Sequence, residues 1–123
     1  MSIAFLSLAE PAGRLLIGGV FVFAGWRNIR AFPILAGVIA ARGLPFAPVL
    51  LRAAIALQLG AGALVIAGMW LMPAALALIA FLMAATYLFH NFWDYQGLDR
   101  TNRINGLASN VALVGSFLLV AAG

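Results

Sequence analysis

The stretch that decides the fold is PAALALIAFLMAATYLFHNFW, residues 73–93. It carries no acid, lysine or arginine, and a helix of about 20 such residues crosses the hydrocarbon core of a bilayer. Pro73 suits the first turn of a helix, where its missing N–H breaks no hydrogen bond. We therefore predict a transmembrane helix over 73–93, with Trp70 before it and Trp93 at its end as interface anchors.

Three further apolar runs of similar length cover about residues 12–29, 49–69 and 105–122. The chain of 123 residues is 66% hydrophobic and 8% charged, and its mean hydropathy is +1.13. A soluble domain carries about 25% charged residues, so this chain lacks the polar surface that a water-facing domain needs. Because the connections are short, the simplest architecture is an all-α integral membrane four-helix bundle, forming one transmembrane domain over residues 1–123.

The segment AFPILAGVIAARG, residues 31–43, is apolar but differs from the four spans. It is too short to cross a bilayer, and Pro33 and Gly37 interrupt it. We predict a short interfacial or re-entrant segment after the first span, with both possibilities open.

Small residues spaced four apart occur in several spans, as in Ala56–Gly60, Ala63–Ala67 and Ala108–Ala112. Such spacing permits close packing of membrane helices. These pairs are consistent with a bundle but do not identify its contacts, because alanine and glycine are abundant throughout the chain.

The positive charge consists of seven arginines, and their distribution predicts an orientation. Four spans place both termini on one side and the loops 27–48 and 94–104 on the other. The loop side carries Arg27, Arg30, Arg42, Arg100 and Arg103, and also Arg52 if its side chain extends from the start of the second span to that surface. The other side carries only Arg14, so the loops are predicted to be cytoplasmic and both termini periplasmic. Trp26 and Arg27 mark the cytoplasmic end of the first span. No basic patch is interleaved with aromatic residues, which argues against nucleic-acid binding.

Polar residues within the spans are candidates for function or for helix contacts. Arg14 either extends its side chain to the outer head groups or turns inward toward an anionic or carbonyl group. Gln58 lies in mid-span and must hydrogen-bond to another span or to a ligand. Asn110 lies about one turn into the last span, and we expect it to face His90 and Asn91.

The motif FHNFWDY, residues 89–95, contains the only histidine. His90 and Asp94 are spaced i, i+4 and would share one helical face if the helix continues that far. A carboxylate there would fix the imidazole tautomer, as proton transfer to a quinone-like carbonyl requires, although a structural role is the alternative. No nucleophile with a positioned base is present, so we predict no catalytic residue. One histidine without cysteine also predicts no zinc site and no bis-histidine haem within one chain.

The chain resembles the DoxX family of small bacterial four-span membrane proteins. The motifs that carry the resemblance are RLLIGGVFVFAGWRNI (14–29), RGLPFAPVL (42–50), QLGAGALVIAGMW (58–70), HNFWD (90–94) and NVALVGSFLLVAAG (110–123). The resemblance places the family's recurrent polar residues on Arg14, Gln58 and Asn110, with Arg27 where a lysine is usual. The family pattern has an acid at the position of Gln58, and an amide can neither release a proton nor counter a buried arginine.

What the resemblance implies about function is association with membrane redox machinery of the bacterial inner membrane. Some relatives are subunits of a thiosulfate:quinone oxidoreductase. We expect an accessory subunit, without catalytic activity of its own, that packs among the other protein subunits of a respiratory or photosynthetic complex in the lipid bilayer. The alternative is a quinone-interacting component of such an oxidoreductase, with His90, Asp94 and Arg14 as polar contacts to the quinone. Too few charges lie within the spans to favour a transporter.

Overall fold

Five α-helices account for most of residues 3–122, the part of the chain that the structure, a computed structural model, describes. They are α1 (Ile3–Arg30), α2 (Phe32–Ala41), α3 (Ala47–Ala67), α4 (Leu71–Phe89) and α5 (Gly97–Ala122), with a short 3-10 helix (Phe92–Asp94) before α5. No strand occurs within residues 3–122. Helices α1, α3, α4 and α5 are long and apolar enough to cross a membrane, whereas α2 has ten residues and is too short. The predicted all-α membrane bundle with a short segment after the first span is confirmed.

The helix ends differ from the predicted spans because hydropathy locates the apolar part of a helix and not its ends. Helix α1 begins at Ile3 instead of about residue 12, and Pro11 lies inside it. Helix α4 ends at Phe89, four residues before the predicted end at Trp93. Helix α5 begins at Gly97 instead of residue 105, so the polar residues 97–104 form its first two turns.

The four long helices pack with each sequential neighbour antiparallel. Helix α1 packs chiefly against α3, α3 against α4, and α4 against α5, while α1 and α5 meet only over a short stretch. The backbones of α1 and α3 approach each other closely. A Cβ atom on Gly18 would stand 2.6 Å from the carbonyl oxygen of Gly62, so glycine at these two positions sets the distance between the helices.

A cluster of phenylalanines fills the centre of the bundle. The ring of Phe21 lies 5.3 Å from that of Phe117 and 6.2 Å from that of Phe81, both edge-on. Edge-to-face packing of this kind suits the charge distribution of aromatic rings. Leu78 and Val65 are buried in the same core, and Phe117 is a contact between α5 and α1.

A second, smaller core fixes α2 at the arginine-rich end of the bundle, which we define as the end where α1 and α4 finish. Ile39 of α2 is buried against Ala47, Leu51 and Ile55 of α3, with Phe89 of α4 packed beside them. The short helix is therefore attached along the first half of α3, beside the carboxyl end of α4.

Candidate functional site

A cavity of about 450 Å³ lies among α1, α2, α3 and α4 near the arginine-rich end. Its lining residues are Asn28, Leu35, Ile39, Leu44, Leu50, Leu51, Ala54, Phe81, Ala84, Ala85, Leu88, Phe89 and His90. The walls are aliphatic and aromatic, and Asn28 and His90 are the two polar residues among the described lining residues. Apolar walls with a few polar groups, in a volume of about 300 to 1,000 Å³, are typical of small-molecule sites. We call this space the inner cavity.

Asn28 is one polar group of the inner cavity, and the sequence did not single it out. Its Nδ2 donates a hydrogen bond to Oε1 of Gln58 on α3 at 2.8 Å. Gln58 is 3% exposed, so this bond joins two helices inside the bundle. A side-chain amide has a second N–H and a carbonyl oxygen, so Asn28 offers the cavity a donor and an acceptor. Nothing in the sequence marked it, because a polar residue beside Arg27 at the end of a span is ordinary.

His90, the other polar group of the inner cavity, follows the last residue of α4. Its backbone N–H donates to the carbonyl of Thr86 at 3.0 Å, and its ring packs against Gly106 of α5. Burial, and secondarily the charge of Arg103, lower the pKa of His90 below its ordinary 6.5. The imidazole is therefore neutral at pH 7, with one N–H donor and one acceptor nitrogen.

The expected pairing of His90 with Asp94 on one helical face is wrong, because α4 ends at Phe89 and Asp94 lies in the 3-10 helix. Oδ2 of Asp94 instead accepts hydrogen bonds from Nδ2 of Asn91 at 2.9 Å and from Nη1 of Arg42 at 3.4 Å. The side chains of Arg42 and Asp94 are 24% and 49% exposed, so this is a partly solvated ion pair. Asp94 therefore connects α2 to the end of α4 and does not line the inner cavity.

Two arginines cap the carboxyl end of α4. Nη1 of Arg103 donates to the carbonyl of Phe89 at 2.6 Å and to Oδ1 of Asn91 at 2.9 Å. Nη2 of Arg42 donates to the carbonyl of Tyr87 at 3.2 Å. These bonds occupy carbonyls that the end of a helix leaves without helical partners, and the positive charges complement the helix dipole. Asn91, 1% exposed, lies at the centre of this network, which joins α2, α4 and α5 beside the inner cavity.

Asn110 does not meet His90 and Asn91 as expected. Its Nδ2 donates to the hydroxyl of Thr86 at 2.9 Å, about one turn deeper in α4. The difference arises because residues 97–104 are helical, which carries Asn110 further along the bundle than a loop there would. The sequence identified an interhelical amide but not its partner.

Arg14 lies at the opposite end of the molecule from His90 and Asp94. It pairs with Glu10 at 3.0 Å, and its guanidinium lies against Gly68, just before α4 begins. Helix α4 starts at Leu71 and ends just before His90, a length of about 28 Å at the helical rise. The three predicted quinone contacts therefore do not form one site, and only His90 lines the inner cavity.

The predicted interface anchors lie on the surface of the bundle. Trp26, Trp70 and Trp93 are each more than half exposed, and Arg27 is exposed. Trp26 stands near the guanidinium of Arg30, 5.5 Å from its ring centre. Trp26 and Trp93 are at the arginine-rich end and Trp70 is at the other, which is the arrangement that two aromatic belts require.

Comparison with known proteins places these features in a family context. The sequence model of the DoxX family matches residues 11–91, which include all the lining residues of the inner cavity named above. The inner membrane protein YphA of Escherichia coli (strain K12) is 23% identical over 108 residues, covering 88% of this chain and 77% of YphA. No solved structure matches the chain.

Proposed function

The chain, a small multi-pass inner-membrane protein, belongs to the DoxX family, and we propose that it binds a quinone as a component of a membrane redox complex. The inner cavity is the observation that carries the proposal. It joins apolar walls to one neutral imidazole and one amide, and it lies wholly within the segment shared with the family.

The chemistry of a quinone matches what the cavity offers. A quinone head group is a flat apolar ring with two carbonyl oxygens that only accept hydrogen bonds. His90 and Asn28 each have an N–H to donate, and the aliphatic and phenylalanine walls suit the ring and an isoprenoid tail. Among the described residues that line the cavity there is no arginine, aspartate or glutamate, so a neutral ligand enters without desolvating a charge.

The role we propose is to hold the quinone while a partner subunit supplies the electrons. His90 binds one carbonyl through its N–H, and its neutral state leaves the second nitrogen able to accept a proton. Asn28 is positioned by Gln58, which keeps the amide in a fixed orientation toward the cavity. This assignment unites an accessory role in a complex with quinone binding.

The arginine distribution supports an orientation with the inner cavity near the cytoplasmic surface. Six arginines lie at its end of the bundle, and Arg14 lies at the other. By the positive-inside rule, this distribution favours an orientation with both termini in the periplasm. The orientation is tested by fusing to the carboxyl terminus a reporter that is active only in the cytoplasm. Activity of this fusion would contradict the orientation.

The binding assignment is tested by titrating the purified protein with a short-tail quinone. Loss of one hydrogen bond of about 1.4 kcal/mol weakens binding about tenfold, so His90→Ala and Asn28→Ala should each raise Kd by that factor. The matched control is Asn110→Ala, which also removes a part-buried interhelical amide but lies outside the inner cavity. Equal Kd values for wild type and both cavity variants, with all proteins folded, would refute the assignment.

The complex itself is tested separately by native purification. We expect other membrane proteins to co-elute in mild detergent, together with a quinone absorption spectrum. If the chain always purifies alone, the subunit role is refuted. The quinone assignment is tested independently by the titration.

A further inference from the structure

A second cavity, of about 370 Å³, lies at the end of the bundle opposite the inner cavity. Its lining residues are Ala9, Glu10, Gly13, Arg14, Ile17, Leu71, Ser116, Leu119 and Val120. It exists because α1 and α5 meet at Phe21 and Phe117 and leave a cleft toward this end. It shares no residue with the inner cavity, and we call it the outer cleft.

The outer cleft contains a charged pair, Arg14 and Glu10, near the edge of the hydrocarbon core. Arg14 precedes Arg30, the last residue of α1, by 16 residues, which is about 24 Å at the helical rise. The hydrocarbon core is about 30 Å thick, so with Arg30 at one surface Arg14 lies near the opposite edge of that core. An arginine at this depth needs polar partners and is by default a candidate for function.

The guanidinium of Arg14 is only partly satisfied by the protein. Nη1 donates to Glu10 at 3.0 Å, and the Nε–H is buried without a hydrogen-bond partner among residues 3–122. A Cβ atom on Gly68 would lie 3.1 Å from Nη2, so the absence of a side chain at Gly68 leaves room for the guanidinium. The side chain of Arg14 is 21% exposed and that of Glu10 is 70% exposed, so the cation lies in the wall and the carboxylate reaches outward.

We propose that the outer cleft binds the head group of a phospholipid that carries both a phosphate and a primary ammonium, as phosphatidylethanolamine does. The phosphate accepts hydrogen bonds from Arg14, and the ammonium donates to Glu10. Ile17, Leu119 and Val120 form the apolar wall along which the acyl chains lie.

The polar groups of the cleft select this head group over its relatives. A phosphatidylglycerol head is anionic without a cation, so it leaves the Glu10 carboxylate facing a negative charge. A phosphatidylcholine head has a quaternary ammonium with no N–H to donate. The hydroxyl of Ser116 donates a hydrogen bond to the carbonyl of Ala112 at 2.9 Å. Its oxygen can therefore only accept from a ligand, which also favours a ligand that donates hydrogen bonds.

The experiment is native mass spectrometry of the delipidated protein titrated with the three lipids, all with the same acyl chains. We expect phosphatidylethanolamine to bind at least fivefold more tightly than the other two. Glu10→Gln should abolish this preference, and Arg14→Gln should weaken all three lipids. Equal binding of the three lipids by the wild type would overturn the proposal and indicate ordinary surface lipid only, as would a preference that survives Glu10→Gln.

A second pair of variants avoids any loss of charge. Gly13 lines the outer cleft and Gly19 does not, and a Cβ atom on either would have no neighbour within 4 Å. Gly13→Leu should therefore fill the cleft and reduce phosphatidylethanolamine binding at least fivefold, while Gly19→Leu should leave it unchanged. Equal binding by these two variants would place the lipid elsewhere and overturn the proposal.

Discussion

Substituting Gly18 by alanine tests the contact that sets the distance between α1 and α3. The added Cβ would lie 2.6 Å from the carbonyl oxygen of Gly62 and 2.8 Å from Cγ1 of Ile66. An ordinary contact begins at 3.4 Å, so the oxygen and the Cβ must separate by 3.4 − 2.6, or about 0.8 Å. The Ile66 side chain can move, but the Gly62 oxygen is backbone, so the two helices have to part.

The magnitude follows from comparison with Gly19→Ala in the same helix. Both substitutions gain the same helix propensity, about 1 kcal/mol of alanine over glycine, and a Cβ on Gly19 meets nothing within 4 Å. The propensity therefore cancels in the difference, which leaves the overpacking cost of about 1 to 3 kcal/mol. We expect Gly18→Ala to be less stable than Gly19→Ala by that amount.

The assay is reversible unfolding in mixed micelles, followed by far-ultraviolet circular dichroism as the denaturing detergent increases. The free energies of unfolding of the wild type and the two alanine variants are compared at one protein concentration. Two variants within about 0.5 kcal/mol of each other, a spread typical of surface changes, would refute the close α1–α3 contact.

Three further predictions concern the network around His90. Gly106→Ala places a methyl group where the imidazole ring packs, so we expect quinone binding measured by titration to fall at least tenfold, and unchanged binding would contradict the position of the ring. Arg42→Gln and Asp94→Asn should show a coupling energy below about 1 kcal/mol in a double-mutant unfolding cycle, because both side chains are partly exposed, and a larger value would mean a buried pair. The lowered pKa of His90, due to burial and then to Arg103, means that the unfolded chain binds the proton more readily. Stability should therefore be full above the ordinary pKa of 6.5 and decline as the pH falls toward the folded-state value, and His90→Gln should flatten this part of the unfolding profile.

The sequence by itself determined that the chain lies in lipid, how many times it spans the membrane and which class of fold it has. With 66% hydrophobic and 8% charged residues the chain cannot cover a water-facing surface, and its backbone must be satisfied within helices in lipid. Length then separates four spanning helices from the ten-residue α2. These conclusions depend on composition and on the lengths of the apolar stretches. They do not depend on which side of each helix faces inward.

Only the tertiary structure decided which polar groups meet. In lipid, the outward and inward faces of a helix are both apolar, so hydrophobic periodicity does not reveal the rotation of a helix about its axis. The sequence offered many small-residue pairs, and packing selected Gly18 with Gly62. In the same way, packing allowed Asn28 to hydrogen-bond with Gln58, and Asp94 with Arg42 in place of His90.

The position of the candidate site depends on one further feature that spacing cannot give, the end of α4. An i, i+4 pair shares a face only while the helix continues, and α4 ends at Phe89 where two arginines from other elements bind its carbonyl groups. Those arginines are distant in sequence from the helix that they cap. The sequence therefore determined that His90 lies where a span leaves the membrane, and the packing of α2 and α5 decided that its ring lines a cavity without Asp94.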